Sequence, residues 1–478
     1  MIKLLKAKWV VGHVDGRHCL YEDGEIAVSG DSALFVGKRF PGTPDKVVDY
    51  GNALIGPGFI DLDAVSDLDT TVLGFDNQPP ARKGRVWPET YMRAGPIEMY
   101  SSEELAFQKK YAFSRLIRSG ITTALPIASL FYRQWGETVQ GFSDAAAAAE
   151  ELGLRVYLGP AYQSGNTFVR DDGTLDFHFD EARGIAGLRD AEKYCAEFEG
   201  RAGGLICTML VSDRIETCTA ELLRQSAAAA RDLQVPIRLH CCQSRFEYDS
   251  VVKLHGMTPP EWLESLGFLS ERALLPHGTF VSGKDLEIIR DSGATIVHCP
   301  LVAARHGNAL RSFRSYRDTG IRIGMGTDTY PPDMLLNMQL GLMICRVVEE
   351  NAQACRAEDY YDAATVAGAD ALGRPDLGRL QPGAKADLIV VDFDDPFMGQ
   401  TIDPIQTLLL NATARSIRSV MINGRFVMED GVIPGIDDRA YRQSAQARFD
   451  GLVAKYPMRT LGHPPLHEIF SSSYRRLS

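Results

Sequence analysis

The stretch GPGFIDLDAVSDLD, residues 56–69, is the first of eight β-rich apolar runs that alternate with helical segments along the chain. The helical segment SSEELAFQKKYAFSRLIRSG, residues 101–120, has apolar residues three to four positions apart. Ser or Thr stands near the start of several such segments and Gly near the end, as helix caps do. Eight strand–helix units predict an α/β fold with a (β/α)8 TIM barrel over residues 58–377, since such barrels need about 250 residues before insertions.

Both ends of the chain carry a second pattern, in which short β-like runs alternate with turns. The first 55 residues show it, and it returns in ADLIVVDFDD at residues 386–395 and SIRSVMINGRFVMEDGVI at residues 416–433. Two half-sheets at opposite ends predict one composite β domain built by both termini. Its expected bounds are residues 1–57 and 378–435, and residues 436–478 are expected to form a helical extension.

The composition is that of an ordinary globular protein and argues against two kinds of partner. The 478 residues are 45% apolar and 24% charged, with a formal net charge of −11 and a pI near 5.5. Nucleic acids and anionic membranes both attract clustered positive charge, so neither is expected to bind. Because no apolar run reaches the roughly 18 to 20 residues of a membrane span and no leader pattern is found, we expect a cytoplasmic protein.

Polar residues at the ends of the last four barrel strands are the candidates for chemistry. His240 ends IRLH, His277 follows LLP, His298 ends TIVH and Asp328 follows GMGT. Strand ends converge over the barrel mouth, where barrel enzymes place their active sites. Each histidine taken singly also fits a core residue, but imidazoles and a carboxylate that face one another suit a divalent metal of the zinc or iron type.

Two long insertions, residues 74–100 and 163–190, follow the first and third strands and are expected to cover the barrel mouth. The first insertion carries basic and aromatic side chains: Arg82, Lys83, Arg85, Trp87, Tyr91 and Arg93. We predict that Arg85 and Trp87 contact the substrate, since a guanidinium pairs with a carboxylate and an indole stacks on a planar ring. The alternatives are a solvated basic loop and aromatic residues that anchor the loop to the barrel.

Several motifs occur in the order and spacing of a known family. They are PGFID at residues 57–61, SGITT at 119–123, PHGTFV at 276–281, SGATIVHCP at 292–300, GTDTYPPDMLLNM at 326–338 and GRLQPGAKADLIVVD at 378–392. On these motifs the chain resembles the amidohydrolase superfamily, in its triazine hydrolase, cytosine deaminase and guanine deaminase branch. The resemblance implies a distorted barrel, a β-sandwich made by both termini, and a hydrolase or deaminase acting on a non-peptide C–N bond of a small cyclic or amide-like substrate.

The resemblance also implies roles for the strand-end residues. Members of this branch hold a metal with a His-x-His pair on the first strand, a histidine on the fifth and an aspartate on the eighth. By position the last two are His240 and Asp328, while His277 on the sixth strand assists proton transfer. The first-strand pair is replaced here by Asp63-Ala64-Val65, and valine offers no ligand atom.

A second departure concerns proton transfer. The glutamate that members carry three residues after the fifth-strand histidine is Gln243 here, and an amide cannot exchange protons. Proton transfer would then fall to His277 or Asp328. Glu247 is a further candidate, whose alternative is an exposed charge at the start of a helix. We predict that Gln243 and His298 contact the substrate instead.

Three functions stay open. In the first, Asp63, His240 and Asp328, with His277 as a fourth, hold one divalent metal, zinc or iron. In the second, the enzyme works without metal and uses His277 and Asp328 as an acid and base pair. In the third, the chain binds a small molecule without catalysis. The basic loop favours an anionic molecule, and the resemblance implies a homodimer or a larger homo-oligomer.

Overall fold

The structure is a computed structural model that describes residues 1–65, 86–127, 133–281, 283–310, 312–470 and 472–475. The part of the first insertion that carries Arg82, Lys83 and Arg85 lies outside the described residues. Within the described ranges, no helix is both long and apolar enough to cross a membrane.

The strands, in chain order, have the following bounds. They are β1 (Ile2–Val14), β2 (Arg17–Ser29), β3 (Ser32–Gly37), β4 (Lys46–Asp49), β5 (Ala53–Pro57), β6 (Phe59–Val65), β7 (Trp87–Pro88), β8 (Ile121–Ile127), β9 (Arg155–Leu158), β10 (Ala161–Tyr162), β11 (Gly165–Val169), β12 (Leu175–Phe179), β13 (Ile206–Thr208), β14 (Leu210–Arg214), β15 (Ile237–His240), β16 (Ala273–Pro276), β17 (Thr295–His298), β18 (Arg322–Met325), β19 (Leu388–Asp392), β20 (Ile417–Ile422) and β21 (Arg425–Met428).

The helices have the following bounds. They are α1 (Glu89–Ala94), α2 (Ser102–Arg118), α3 (Val139–Leu152), α4 (Glu181–Phe198), α5 (Ala220–Leu233), α6 (Arg245–His255), α7 (Pro259–Ser265), α8 (Lys284–Ser292), α9 (Pro300–Arg305), α10 (Phe313–Asp318), α11 (Met334–Val348), α12 (Ala357–Ala364), α13 (Val366–Ala371), α14 (Pro404–Asn411), α15 (Asp438–Ala454) and α16 (Leu466–Ile469). Short 3-10 turns lie at Ile215–Thr217, Ala414–Ser416 and Tyr456–Arg459, and a left-handed turn lies at Arg201–Gly204.

Strands from both ends of the chain share one sheet. In the described part of the chain its order is β21-β20-β19-β5-β1-β2-β3, with β4 beside β1. The antiparallel pairing of β5 with β19, from Ala53↔Asp392 to Pro57↔Leu388, joins the two ends. The tight β1–β2 hairpin turns at Asp15 and Gly16, whose positive φ angles of 50° and 76° match the twist that a two-residue hairpin needs. The prediction of one composite β unit is confirmed.

The barrel strands are parallel and lie where the sequence predicts them. Among the described residues they form two sheets, β13-β9-β8-β6 and β10-β14-β15-β16-β17-β18. The third barrel strand is divided into β9 and β10 and the fourth into β13 and β14, which is where one sheet passes into the other. The first and eighth strands meet through a hydrogen bond from the Asp328 amide to the Asp63 carbonyl, at 2.8 Å. The predicted α/β fold with a distorted (β/α)8 barrel is confirmed.

Apolar side chains fill the barrel beneath its mouth. One buried cluster includes Ile60, Leu62, Leu125, Leu274 and Val297, which lie on four barrel strands: β6, β8, β16 and β17. Burial of each such side chain contributes about 1.5–3 kcal/mol. Because this layer closes the interior, only side chains at the strand ends reach the mouth.

The two insertions meet above the barrel. β11 and β12 form an antiparallel pair within the second insertion, and β7 of the first insertion adds to β11 in parallel, with Trp87 opposite Phe168. This small sheet fixes the end of the first insertion against the second.

Candidate active site

His240 is oriented by its neighbour strand. It ends β15, and its Nδ1 atom lies 2.8 Å from the Asp213 carbonyl oxygen. Since a carbonyl only accepts hydrogen bonds, Nδ1 carries the proton and Nε2 presents its lone pair. That lone pair faces Asp63, whose Oδ2 lies 3.8 Å away. A second contact that fixes the tautomer in this way is typical of metal-binding histidines.

His277 follows β16 and stands beside His240. The two imidazole centroids are 5.4 Å apart and the rings are inclined by 27°. His277 Nε2 lies 3.6 Å from Asp328 Oδ2. The His277 side chain is 1% exposed and that of Asp328 13%, so the pair lies at the inner edge of the mouth.

Several strand-end residues have a left-handed backbone. Cys242, His277 and Asp328 have φ angles of 61°, 79° and 41°. For residues other than glycine such a conformation costs about 1–3 kcal/mol, and it clusters at functional sites. The strain at three neighbouring strand ends therefore marks this mouth as the functional face.

Asp63 lies at the centre of the site. It is fully buried on β6, and its Oδ2 also accepts a contact from the Cys299 thiol at 3.7 Å. Its Oδ1 lies 3.2 Å from Arg238 Nη1. Burial raises the pKa of Asp63 to about 6, although the Arg238 charge opposes the shift. Asp63 on the first barrel strand thus faces the fifth-strand histidine, and its role as the replacement for a first-strand metal ligand stays a prediction.

Asp63, His240 and His277 could together hold a metal ion. Their ligand atoms all lie within 4.8 Å of one another, and all three residues are buried. Among the described residues, buried His277 Nε2 has no hydrogen-bond partner, and Asp63 Oδ1 has its ion pair with Arg238 but no hydrogen bond. A divalent ion such as zinc accepts this mixture of carboxylate oxygen and imidazole nitrogen. The residues present therefore fit such an ion, with His277 inside the group and Asp328 at its edge.

Burial shifts the pKa values of the carboxyl and imidazole groups of the site. Burial, with Asp63 next, raises the pKa of Asp328 well above its usual value. Burial likewise raises the pKa of Asp61 to about 7, even though Thr327 donates to it through Oγ1 at 2.6 Å and through its amide at 3.0 Å. Burial, together with the Arg214 charge, lowers the pKa values of His240 and His277 well below 6.5, so both imidazoles are neutral. Crowded carboxylates and neutral imidazoles are the state that a bound cation stabilises.

Gln243 lies beside the metal group in contact with a residue that the sequence analysis missed. Arg214, at the end of β14, donates from Nη1 to Gln243 Oε1. β14 and β15 pair in register at Arg214↔His240, which places the arginine next to the fifth-strand histidine. The segment VSDRIE has no apolar or motif signal around Arg214, and only its position at a strand end could have singled it out.

Glu247 is buried, so its interpretation as an exposed helix-start charge is wrong. It is 1% exposed, and its carboxylate accepts the backbone N–H groups of Cys242 and Gln243. Burial, with Glu216 next, raises the pKa of Glu247 to about 8. The carboxylate holds the turn that follows His240.

The remaining predicted contacts lie outside the metal group. His298 ends β17 and packs against Phe313 and Tyr360, with centroid distances of 5.9 and 6.2 Å. Trp87 is 6% exposed, and its ring meets Tyr91 at 5.8 Å and the Arg459 guanidinium at 5.6 Å. These contacts support the alternative in which Trp87 anchors the insertion. Arg85 lies outside the described residues.

A parallel barrel that carries imidazoles and carboxylates at its strand ends is typical of metal-dependent hydrolases. Residues 77–427 match the sequence profile of the amidohydrolase family, and the chain belongs to that family. The predicted superfamily is confirmed, and so is a hydrolase that acts on carbon–nitrogen bonds other than peptide bonds.

Two relatives match most of the chain. A 5-methylthioadenosine/S-adenosylhomocysteine deaminase from Natronomonas pharaonis is 26% identical over 438 residues, covering 91% of this chain and 93% of the relative. A protein of the same name from Halobacterium salinarum is 27% identical over 441 residues, with 91% and 95% covered.

Two solved structures share the fold. An adenosine deaminase from Xanthomonas campestris with bound zinc gives a TM-score of 0.78 at 20% identity, covering 95% of this chain and 98% of that one. An atrazine chlorohydrolase from Arthrobacter aurescens TC1 complexed with zinc gives a TM-score of 0.74 at 21% identity, covering 93% and 99%. At these identities the likeness concerns the fold.

Proposed function

We propose that the chain is a metal-dependent deaminase of a small ring compound that carries an exocyclic amino group. The observation that carries this proposal is the group of Asp63, His240 and His277, with ligand atoms within 4.8 Å of one another. The two deaminases that are 26% and 27% identical over 91% of the chain favour loss of an amino group over other C–N hydrolyses.

Five residues of the site have tasks in this reaction. Asp63, His240 and His277 would hold the ion, for which zinc has precedent in two solved structures of this fold. When bound, such an ion supplies hydroxide near neutral pH. Asp328 is the acid–base group, because its Oδ2 lies 3.6 Å from His277 Nε2 at the edge of the group, and burial raises the pKa of its carboxyl. Gln243 orients the substrate, since an amide cannot transfer protons.

A second function, hydrolysis without metal, is supported by one contact. Arg238 compensates the charge of Asp63 at 3.2 Å, so the carboxylate has a counter-ion of its own. In that case His277 and Asp328, 3.6 Å apart, act as the acid and base pair. The predicted homo-oligomer, anionic substrate and cytoplasmic location stay predictions.

Metal analysis together with an ammonia-release assay tests the proposal. Protein purified without chelator is expected to contain about one divalent ion per chain. It is also expected to release ammonia from at least one member of a panel of aminopurine nucleosides, aminopyrimidines and aminotriazines. His240→Ala and His277→Ala should lose both metal and turnover, whereas His463→Ala, at an exposed position, should keep both. Full turnover in protein with less than about 0.1 ion per chain would favour the metal-free function.

A further inference from the structure

Arg214 and Gln243 form a contact pair at the rim of the metal group. Arg214 pairs in register with His240 across β14 and β15, and Gln243 follows His240 by three residues. The Glu247 carboxylate accepts a hydrogen bond from the backbone N–H of Gln243 at 3.1 Å. This bond fixes the backbone from which the Gln243 side chain extends. Both side chains are therefore placed by the ends of the fourth and fifth barrel strands.

The contact determines which way the Gln243 amide points. A guanidinium has five N–H donors and no acceptor, so the amide atom that faces Arg214 must be the oxygen. Gln243 Nε2 then points away from the arginine as a donor of two hydrogen bonds. No described residue accepts a hydrogen bond from Nε2.

The Arg214 guanidinium keeps N–H groups available as well. In the part of the chain that the structure describes, no carboxylate oxygen lies within 4.0 Å of it, and its side chain has no hydrogen-bond acceptor besides Gln243. The nearby Glu247 carboxylate is occupied by the backbone amides of Cys242 and Gln243. The groups of this contact pair that stay available are therefore donors, although the Glu216 and Asp328 carboxylates lie near enough to act on the arginine charge.

We propose that Arg214 and Gln243 form a donor-only subsite that binds an acceptor oxygen of the substrate, on a carboxylate or on a ring carbonyl. This proposal rests on the proposed function, because it assumes that the reacting group of the substrate binds at the metal group, next to the subsite. Because the arginine holds the amide oxygen, the free atoms of the pair repel a substrate that presents an N–H group here.

Three planar probes of one shape test the subsite: benzoate, benzamide and benzamidinium. Their binding is measured by isothermal titration calorimetry at equal ionic strength, with protein that has been treated with EDTA. Benzoate should bind at least about tenfold more tightly than benzamidinium, because charge-assisted hydrogen bonds form only with the acceptor. If benzoate binds more tightly than benzamide, the subsite is assigned to a carboxylate. If benzamide binds more tightly, the subsite is assigned to a carbonyl. Benzamidinium binding as tight as that of benzoate, or no saturable binding of any probe up to its solubility, overturns the proposal.

Substitutions test whether Arg214 and Gln243 are the residues that bind benzoate. Arg214→Met and Gln243→Glu should each weaken benzoate binding by about tenfold, the first by removing the guanidinium and the second by replacing the amide donor with a carboxylate. Arg224→Met, at an exposed position of α5, should bind as the wild type does. Gln243→Glu is nearly isosteric and keeps the test decisive if Arg214→Met does not fold. Unchanged benzoate affinity in Gln243→Glu overturns the proposal.

The outcome is independent of the proposed deaminase. The three probes are ligands and not substrates, and EDTA removes any bound ion, so the order of probe affinities depends neither on catalysis nor on the metal. If the metal-loaded enzyme is active but the order of probe affinities is wrong, only the subsite proposal is refuted. If the chain is inactive but the order of probe affinities is as expected, only the deaminase proposal is refuted.

Discussion

Arg238 Nη1 lies 3.2 Å from Asp63 Oδ1 inside the barrel, and the two side chains are 1% and 0% exposed. Arg238 precedes His240 by two residues on β15, so strand alternation directs both side chains inward. The same Nη1 atom donates to the Leu125 carbonyl at 3.1 Å. The resemblance to this branch implies a neutral imidazole at the Asp63 position, and the aspartate and arginine together are also neutral. The pair thus has the net charge that such an imidazole would have.

Arg238→Met should destabilise the fold strongly. The substitution leaves the Asp63 carboxylate buried without its counter-ion, a change that typically costs about 3–5 kcal/mol. Urea denaturation at pH 7 measures the free energy of unfolding. Because the unpaired carboxylate attracts cations, the variant should also gain more stability from added Zn²⁺ than the wild type does.

The double variant Asp63→Leu with Arg238→Met is the matched control. It contains neither charge, so most of the loss caused by Arg238→Met should be recovered. Losses that simply add, with no recovery in the double variant, would show that the two side chains are not energetically coupled.

A histidine in place of Asp63 should weaken metal binding as long as Arg238 is present. Asp63→His removes the anion and leaves the buried guanidinium unpaired, which repels a divalent ion. Metal affinity, measured by competition with a chromophoric chelator, should fall in Asp63→His and recover in Asp63→His with Arg238→Leu. Tighter metal binding by the single variant would contradict a compensating role for Arg238.

The sequence predicted the barrel and the meeting of Asp63, His240, His277 and Asp328 because strand ends converge whatever the loops do. Arg238 was missed although a signal exists. A charged residue in the apolar strand VPIRLHCC, two positions before a functional histidine, must share the inner face and needs a buried partner.

Glu247 shows what sequence reasoning lacks. Its position at the start of a helix is compatible with exposure, and only the fold of the turn after His240 shows that the carboxylate is directed inward to backbone amides. The contact between Arg214 and Gln243 was unpredictable for the same reason, since it joins side chains from two strand ends through loop geometry.

His298 should make the protein sensitive to acid. Burial lowers the pKa of His298 from 6.5 to about 3. Below pH 6.5 this histidine binds a proton in the unfolded chain but stays neutral in the folded chain. The free energy of unfolding is therefore unaffected by His298 above pH 6.5 and decreases as the pH falls from 6.5 towards 3. At about 1.4 kcal/mol per pH unit, the loss between pH 6.5 and pH 5 is about 2 kcal/mol.

Urea denaturation of wild type and His298→Gln across this pH range isolates the effect from that of the other histidines. The wild type should lose more stability on acidification than the variant does. The same substitution at exposed His467 is the control. Parallel stability curves for wild type and His298→Gln would mean that His298 takes up its proton equally in the folded chain.

Glu247→Ala should loosen the turn that carries Gln243 without touching a metal ligand. The substitution leaves the buried amides of Cys242 and Gln243 without an acceptor, which costs about 1–3 kcal/mol for an unsatisfied buried group. Glu247→Gln keeps one acceptor oxygen and should lose less. Native-state hydrogen exchange should show faster exchange of these two amides in Glu247→Ala, while the metal content stays near that of the wild type because His240 is held separately by the Asp213 carbonyl. Protection of both amides equal to that in the wild type would rule out the carboxylate as the support of this turn.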